Sequence, residues 1–178
     1  MDIFIECMVK HKKETKDKLI LAAIIAAGIL LSLILFVLAA LFRLFSIGFV
    51  LIAGVWYGAV ILMRTRTVEY EYILTNNELD VDKIIARNGR KRLVTLDFKE
   101  IMICASTEDP IHRHEYEAAA NIEKTFDCTG DKEKGGVYFI DFHMNEQRCR
   151  LLFQPLDKML REVKKYNPRN IFILEGNL

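Results

Sequence analysis

Two strongly apolar, uncharged stretches, Leu19–Phe42 and Phe45–Met63, constrain this chain more than any other feature, and only Arg43 and Leu44 separate them. A hydrocarbon layer about 30 Å thick is crossed by roughly 20 apolar residues in helical form. At about 1.5 Å per residue the first stretch reaches roughly 36 Å and the second roughly 28 Å, so both are long enough. No soluble fold easily buries two such helices on every side. Neither stretch carries an ionisable residue, which weighs against a transporter or proton path. The expectation is a two-helix membrane hairpin over residues 19–63.

Charge then orients the hairpin. Lys10, Lys12, Lys13, Lys16 and Lys18 precede the first stretch, Arg64 and Arg66 follow the second, and Arg43 alone lies between. Basic residues collect on the cytoplasmic side of membrane spans. Both termini are therefore predicted to be cytoplasmic, in a multi-pass protein of the plasma membrane, with Lys12, Lys13, Lys16, Lys18, Arg64 and Arg66 flanking the bilayer. A cleaved signal peptide is the competing reading, because Val37-Leu38-Ala39 loosely resembles a cleavage site. A 24-residue apolar run is too long for a signal core, and a second run comes directly after it.

The net charge of +1 hides an uneven distribution. From Thr67 onward there are 17 basic and 20 acidic residues, which is not the basic profile of a nucleic-acid binder. Cys7, Cys104, Cys128 and Cys149 are far apart and form no C-x-x-C pair. In a reducing cytoplasm they read as free, structural thiols.

Residues 1–18 read as a separate basic N-terminal segment. It is either a surface helix with Phe4, Cys7 and Met8 on one face or a Lys-rich tail. Within the second apolar stretch, Gly54-x-x-x-Gly58 has the spacing that lets membrane helices approach closely. Ala22/Ala26 and Ala23/Ala27 offer the same spacing in the first. The simplest use is packing of the two spans against each other; a homodimer contact is the alternative.

After Arg66 the periodicity becomes that of strands. Val68, Tyr70, Tyr72 and Leu74 alternate with Glu69, Glu71, Ile73 and Thr75, as in a half-buried strand. Asn76-Asn77 makes a turn, and Leu79, Val81 and Ile85 mark a second strand. Asn88-Gly89 is a two-residue hairpin signal, since both residue types tolerate positive φ. Leu93–Leu96 and Ile101–Ala105 are strands three and four. Ser106–Asn121 reads as an irregular excursion with a helical turn near Glu115–Ala120, and Ile122–Cys128 as a fifth strand. Val137–His143 and Gln147–Phe153 form a hairpin turning at Met144–Glu146. Leu156, Met159, Leu160 and Val163 then recur at helical spacing behind Pro155, and Asn167-Pro168 ends that helix.

The result is an α+β, mostly-β soluble domain over residues 67–178, with about seven strands in meander order and one C-terminal amphipathic helix. The run from Tyr70 to Leu79 resembles the opening hairpin of bacterial PH-like domains, and Leu93–Ile101 resembles their third strand. The start of the chain, the tight hairpin and Phe153-Gln154-Pro155 are similar to an uncharacterised family of small Gram-positive bacterial membrane proteins. That resemblance implies a PH-like seven-stranded barrel capped by its C-terminal helix, and it implies no activity.

Candidate chemistry is sparse. Arg87, Arg90, Lys91 and Arg92 flank the first hairpin turn, where the PH resemblance implies contact with anionic phospholipid headgroups, each cation adding about 1 kcal/mol near a charged surface. The competing reading is a solvated turn. His112-x-His114 with Cys104 or Cys128 lacks the three or four converging ligands that a zinc site needs. Paired carboxylates, a nucleophile elbow and a phosphate loop are all absent from the sequence. No catalytic residue, metal or cofactor is assigned, and a non-enzymatic role is expected. That role is a membrane-anchored scaffold or regulatory module meeting an unknown protein partner, or a second copy, at the inner leaflet. The alternatives are anionic-lipid sensing through the basic turn and service as an accessory subunit of a membrane enzyme or transporter.

Overall fold

The computed structural model describes residues 3–13, 15–86, 89–118 and 122–174. The chain divides into two compact units, an apolar helical hairpin of residues 13–67 and a β-rich domain built from residues on both sides of it.

The hairpin consists of α1 (Thr15–Leu41) and α2 (Phe45–Arg64), both long and apolar enough to cross a membrane. The turn between them is sharp for a local reason. Arg43 adopts φ +56°, its N–H donates to the carbonyl of Ala40, and the N–H of Leu44 donates to that of Ala39. This is the Schellman arrangement that satisfies orphan carbonyls at a helix end. The helices pack through Gly28 and Ala39 on α1 and Gly48 and Ala59 on α2, the buried residues of the pair. A Cβ on Gly48 would lie 2.5 Å from that of Ala39, so only glycine permits the approach there. Gly54 and Gly58 do not make this contact: a Cβ on either meets nothing within 4 Å. Ala22, Ala23, Ala26 and Ala27 are also exposed rather than in the seam. The close approach falls at Gly48, outside the Gly54-x-x-x-Gly58 spacing.

The β-rich domain contains β1 (Phe4–Lys10), β2 (Val68–Thr75), β3 (Glu78–Ile85) and β4 (Gly89–Asp97) in one antiparallel sheet, in that order. The second sheet contains β5 (Ile103–Ser106), β6 (Lys124–Asp127), β7 (Tyr138–Met144) and β8 (Gln147–Phe153) in the order β5-β7-β8-β6. The helices α3 (Arg113–Glu117) and α4 (Asp157–Tyr166) and a 3-10 turn at Lys132–Lys134 complete the domain. Tyr72, Leu74, Leu79 and Val81 share one core with Tyr138, Ile140, Leu151 and Phe153, which Met159, Leu160 and Val163 of α4 complete. The outer face of the second sheet is also apolar, where Ala105, Phe139 and Leu152 are covered by Tyr116 and Phe172.

Four expectations need correction. The N-terminal segment is neither a surface helix nor a tail: Phe4–Lys10 is a strand in register with β2, from Phe4 opposite Thr75 to Lys10 opposite Glu69. The domain therefore does not begin at residue 67. The strands do not form a seven-stranded barrel; among the described residues there are two four-stranded sheets, neither closed. The meander also breaks, because β6 runs parallel to β8. Finally, Gly89 is not in the turn but is the first residue of β4, opposite Ile85, and Ala86 adopts φ +54°, while Arg87 and Asn88 lie outside the described residues.

Candidate functional site

The basic turn lies at one end of the first sheet. Val68 is opposite Ile85, Ile85 is opposite Gly89, and Lys10 is opposite Glu69. The turn thus sits beside the two points where the chain leaves the sheet for α1 and returns from α2. Two of its cations, Arg90 and Arg92, are in ion pairs. Arg90 pairs with Glu71 and, at 2.7 Å, with Asp82; Arg92 pairs with Asp82 and, at 2.5 Å, with Asp80. The Glu71 and Asp82 side chains are 7% and 3% exposed, whereas those of Arg90 and Arg92 are about half exposed. Hydrogen bonding to Asp82 raises the Arg92 pKa further. Lys91 is exposed. Two of the cations that sequence reads as one cluster, Arg90 and Arg92, are thus paired with carboxylates on adjacent strands. Arg87 falls outside the described residues.

Strand β1 has a shaped seat. At one end the N–H of Ile3 donates to Asn76 Oδ1 and the N–H of Asn76 donates back to the Ile3 carbonyl. At the other, the N–H of His11 donates to the carbonyl of Val68 and that of Lys12 to the carbonyl of Gly130. A Cβ on Gly130 would lie 2.2 Å from Val9 Cγ1 and 2.9 Å from the Lys10 carbonyl. Gln154 braces this corner by accepting from the Gly130 N–H and donating to the carbonyls of Asp131 and Gly135. Lys12 pairs with Glu133 and, at 3.0 Å, with Asp131, an arrangement that raises the lysine pKa and lowers that of Asp131. Lys12 thus belongs to the β-rich domain, while Lys13, Lys16, Lys18, Arg64 and Arg66 belong to the hairpin unit.

A buried ion pair holds the excursion before β6. Asp141 is fully buried, and both of its oxygens accept from Arg150, at 2.6 and 2.9 Å. The rest of that guanidinium donates to the carbonyls of Tyr116 and Glu115, with its carbon 4.9 Å from the Phe139 ring centroid. Sequence reasoning missed this pair, although both residues occupy outward positions of alternating strands. Asp109 Oδ2 lies 2.7 Å from His112 Nδ1, and this contact holds the carboxyl below its usual range. The His112 ring stacks on Phe172 at 3.9 Å. His112 and His114 do not converge with a cysteine: no cluster of three metal-ligating side chains occurs among the described residues. Cys104, Cys128 and Cys149 are buried and Cys7 half-buried; burial pushes the Cys128 thiol up to about 12. Tyr72 donates to the Cys128 carbonyl at 2.5 Å from inside the core.

A family described as "Bacterial PH-like domain (DUF6106)" has a model that matches residues 1–173. No curated protein and no solved structure matches the chain. The match includes the N-terminal strand and the hairpin as well as both sheets. The chain therefore belongs to this bacterial PH-like domain family.

Proposed function

We propose that this protein is a membrane-anchored, non-enzymatic PH-like module that presents its β-rich domain to a protein partner at the cytoplasmic face of the plasma membrane. The observation that carries the reading is the β1–β2 ladder, in which one sheet draws on chain from both sides of the apolar hairpin. That pairing requires both ends of the hairpin on one side of a bilayer. Lys13, Lys16, Lys18, Arg64 and Arg66 against a lone Arg43 make that side cytoplasmic. Large apolar side chains such as Leu30 and Val50, 62% and 72% exposed, suit a lipid surround rather than water. The test is cysteine accessibility in the full chain, with the native cysteines replaced. Arg43→Cys should react with an impermeant maleimide from outside the cell and His114→Cys only after permeabilisation. The reverse pattern overturns the topology. Co-purification in mild detergent then identifies the partner, and recovery of the protein alone counts against the scaffold role.

A second reading has one specific observation in its favour. The basic turn is next to the points where the sheet connects to the hairpin, so the chain itself ties the turn to the hairpin's ends. Anionic lipid contact then falls to Lys91 and Arg87, because Arg90 and Arg92 are committed to carboxylates. Lys91→Gln with Arg87→Gln should weaken headgroup contact in phosphatidylglycerol nanodiscs; no change rejects it.

A further inference from the structure

We propose that the free edge of β1 docks an extended segment of a partner protein, which adds antiparallel to the sheet and carries a basic residue between two apolar ones at alternate positions. This rests on the reading of the domain as a partner-binding module, and it gives that partner a surface and a chemistry. The backbone of β1 is only half used. The N–H of Asn76 donates to the Ile3 carbonyl and that of His11 to the Val68 carbonyl, in the register that sets Ile5 opposite Leu74 and Cys7 opposite Tyr72. In an antiparallel ladder the residues that exchange hydrogen bonds alternate along the strand. Ile5, Cys7 and Val9 therefore turn their N–H and C=O groups to β2, while Phe4, Glu6 and Met8 turn theirs to the opposite edge. β1 has no second strand neighbour. The usable length ends at Lys10, whose carbonyl would lie 2.9 Å from a Cβ on Gly130.

The other sheet edges are guarded. β4 carries exposed Arg90, Lys91 and Arg92, β6 has only four residues, and β5 is bridged to the C-terminal segment between Cys104 and Ile171. Charge, shortness and a covering segment are the devices that blunt an edge. Along the free edge of β1 stand Phe4, 65% exposed, and Met8, 51% exposed, with exposed Glu6 between them. Glu6 has no ion pair among the described residues. Opposite charges facing each other across strands attract and like charges repel. The fitting segment therefore sets apolar side chains opposite Phe4 and Met8 and a Lys or Arg opposite Glu6. A second copy of β1 fits poorly, because the antiparallel register that uses all three residues puts Glu6 directly opposite Glu6 of the copy. One charge at the centre of the edge thus rejects self-pairing and selects a basic partner.

The experiment is residue-resolved amide hydrogen exchange of the full chain in nanodiscs, with and without the synthetic peptide Thr-Val-Thr-Lys-Thr-Val-Thr. Without peptide, the amides of Phe4, Glu6 and Met8 should exchange freely. Saturating peptide should slow them by about tenfold or more. N-methylation of the peptide lysine should abolish that protection, and N-methylation of an adjacent threonine should not, since only the first removes a donor facing β1. Glu6→Lys should weaken binding about fivefold or more, and a peptide with Glu in place of Lys should restore it. Met8→Pro removes an N–H that faces the free edge and leaves the β2 ladder its donors, so it should block the peptide. No protection at about 1 mM peptide overturns the proposal. So does equal binding of both N-methylated peptides, or protection before any peptide is added, which would mean that lipid or a second copy already covers the edge. Co-purification keeps the two readings apart. A partner retained equally by Met8→Pro and Glu6→Lys overturns the edge site while the partner role stands, whereas no partner with the unaltered chain counts against the role itself.

Discussion

The hairpin and the β-rich domain reach order by opposite means. In the hairpin, nearly all large side chains point outward, and the contact between helices rests on four small buried residues, Gly28, Ala39, Gly48 and Ala59. In the domain, aromatic and branched side chains point inward, and buried charges such as Asp141 and Arg150 pair with each other. The first arrangement suits a solvent that is itself apolar, where close backbone approach replaces the hydrophobic effect. The second suits water. The difference teaches that the hairpin tolerates apolar exchange almost anywhere except its seam, whereas the domain is sensitive at a few polar positions as well as in its core.

The sharpest way to break this division is to cut between the two regions. Val68–Leu178 alone lacks β1 and should show no cooperative unfolding transition. A chain joining Lys12 directly to Val68 through a short Gly/Asn turn should be soluble and cooperative, because β1 and β2 are already antiparallel neighbours. A folded, cooperative Val68–Leu178 fragment would make β1 an accessory. Next in size is Asp141→Ala, which leaves Arg150 buried without its carboxylate and should cost about 3–5 kcal/mol in urea unfolding of the joined chain. Gly130→Val places a branched side chain where Val9 already sits and should cost about 1–3 kcal/mol, with the loss concentrated in β1 exchange.

Acid separates the regions more gently. Asp109 is held below the usual carboxylate range by its hydrogen bond to His112. Asp127 is also lowered, although burial pulls the other way, through its bonds to Lys132 and Thr129. Depressed carboxylates stabilise the fold above their unfolded pKa of about 4, and that contribution is lost as pH falls through the folded values. Urea midpoints of the joined chain should fall below about pH 4. Helicity of the hairpin in micelles, whose spans hold no acidic group past Asp17, should not change. The smallest expected effect is Arg43→Gly. Relief of a left-handed backbone is offset by glycine's greater freedom when unfolded, leaving a gain below about 1 kcal/mol in micelle thermal shifts.

Much of the domain is legible from periodicity. The alternation around Tyr70–Leu74 and the hairpin of β7 and β8 lie where the pattern puts them. The apolar spacing of Leu156, Met159, Leu160 and Val163 marks α4, although its first helical residue is Asp157 rather than Pro155. β1 is not legible for a physical reason. Seven residues are too few to distinguish a helical face from a strand edge, and their partner lies beyond the whole hairpin. The ion pairs of Arg90 and Arg92 are hidden for the same reason: arginines close in sequence are visible, while Glu71, Asp80 and Asp82 meet them only once β2, β3 and β4 pair.

By itself the sequence determined the two apolar helices, the tight turn between them and the mostly-β character of the chain beyond Arg66. Those features depend on residues close along the chain, through hydropathy and period. Only the tertiary structure decided that the domain begins before the hairpin, that Gly48 rather than Gly54 sets the helix contact, and that Arg90 and Arg92 are paired with carboxylates. Each depends on which distant residues become neighbours, and ladder register and helix rotation are set by packing of the whole rather than by any local pattern.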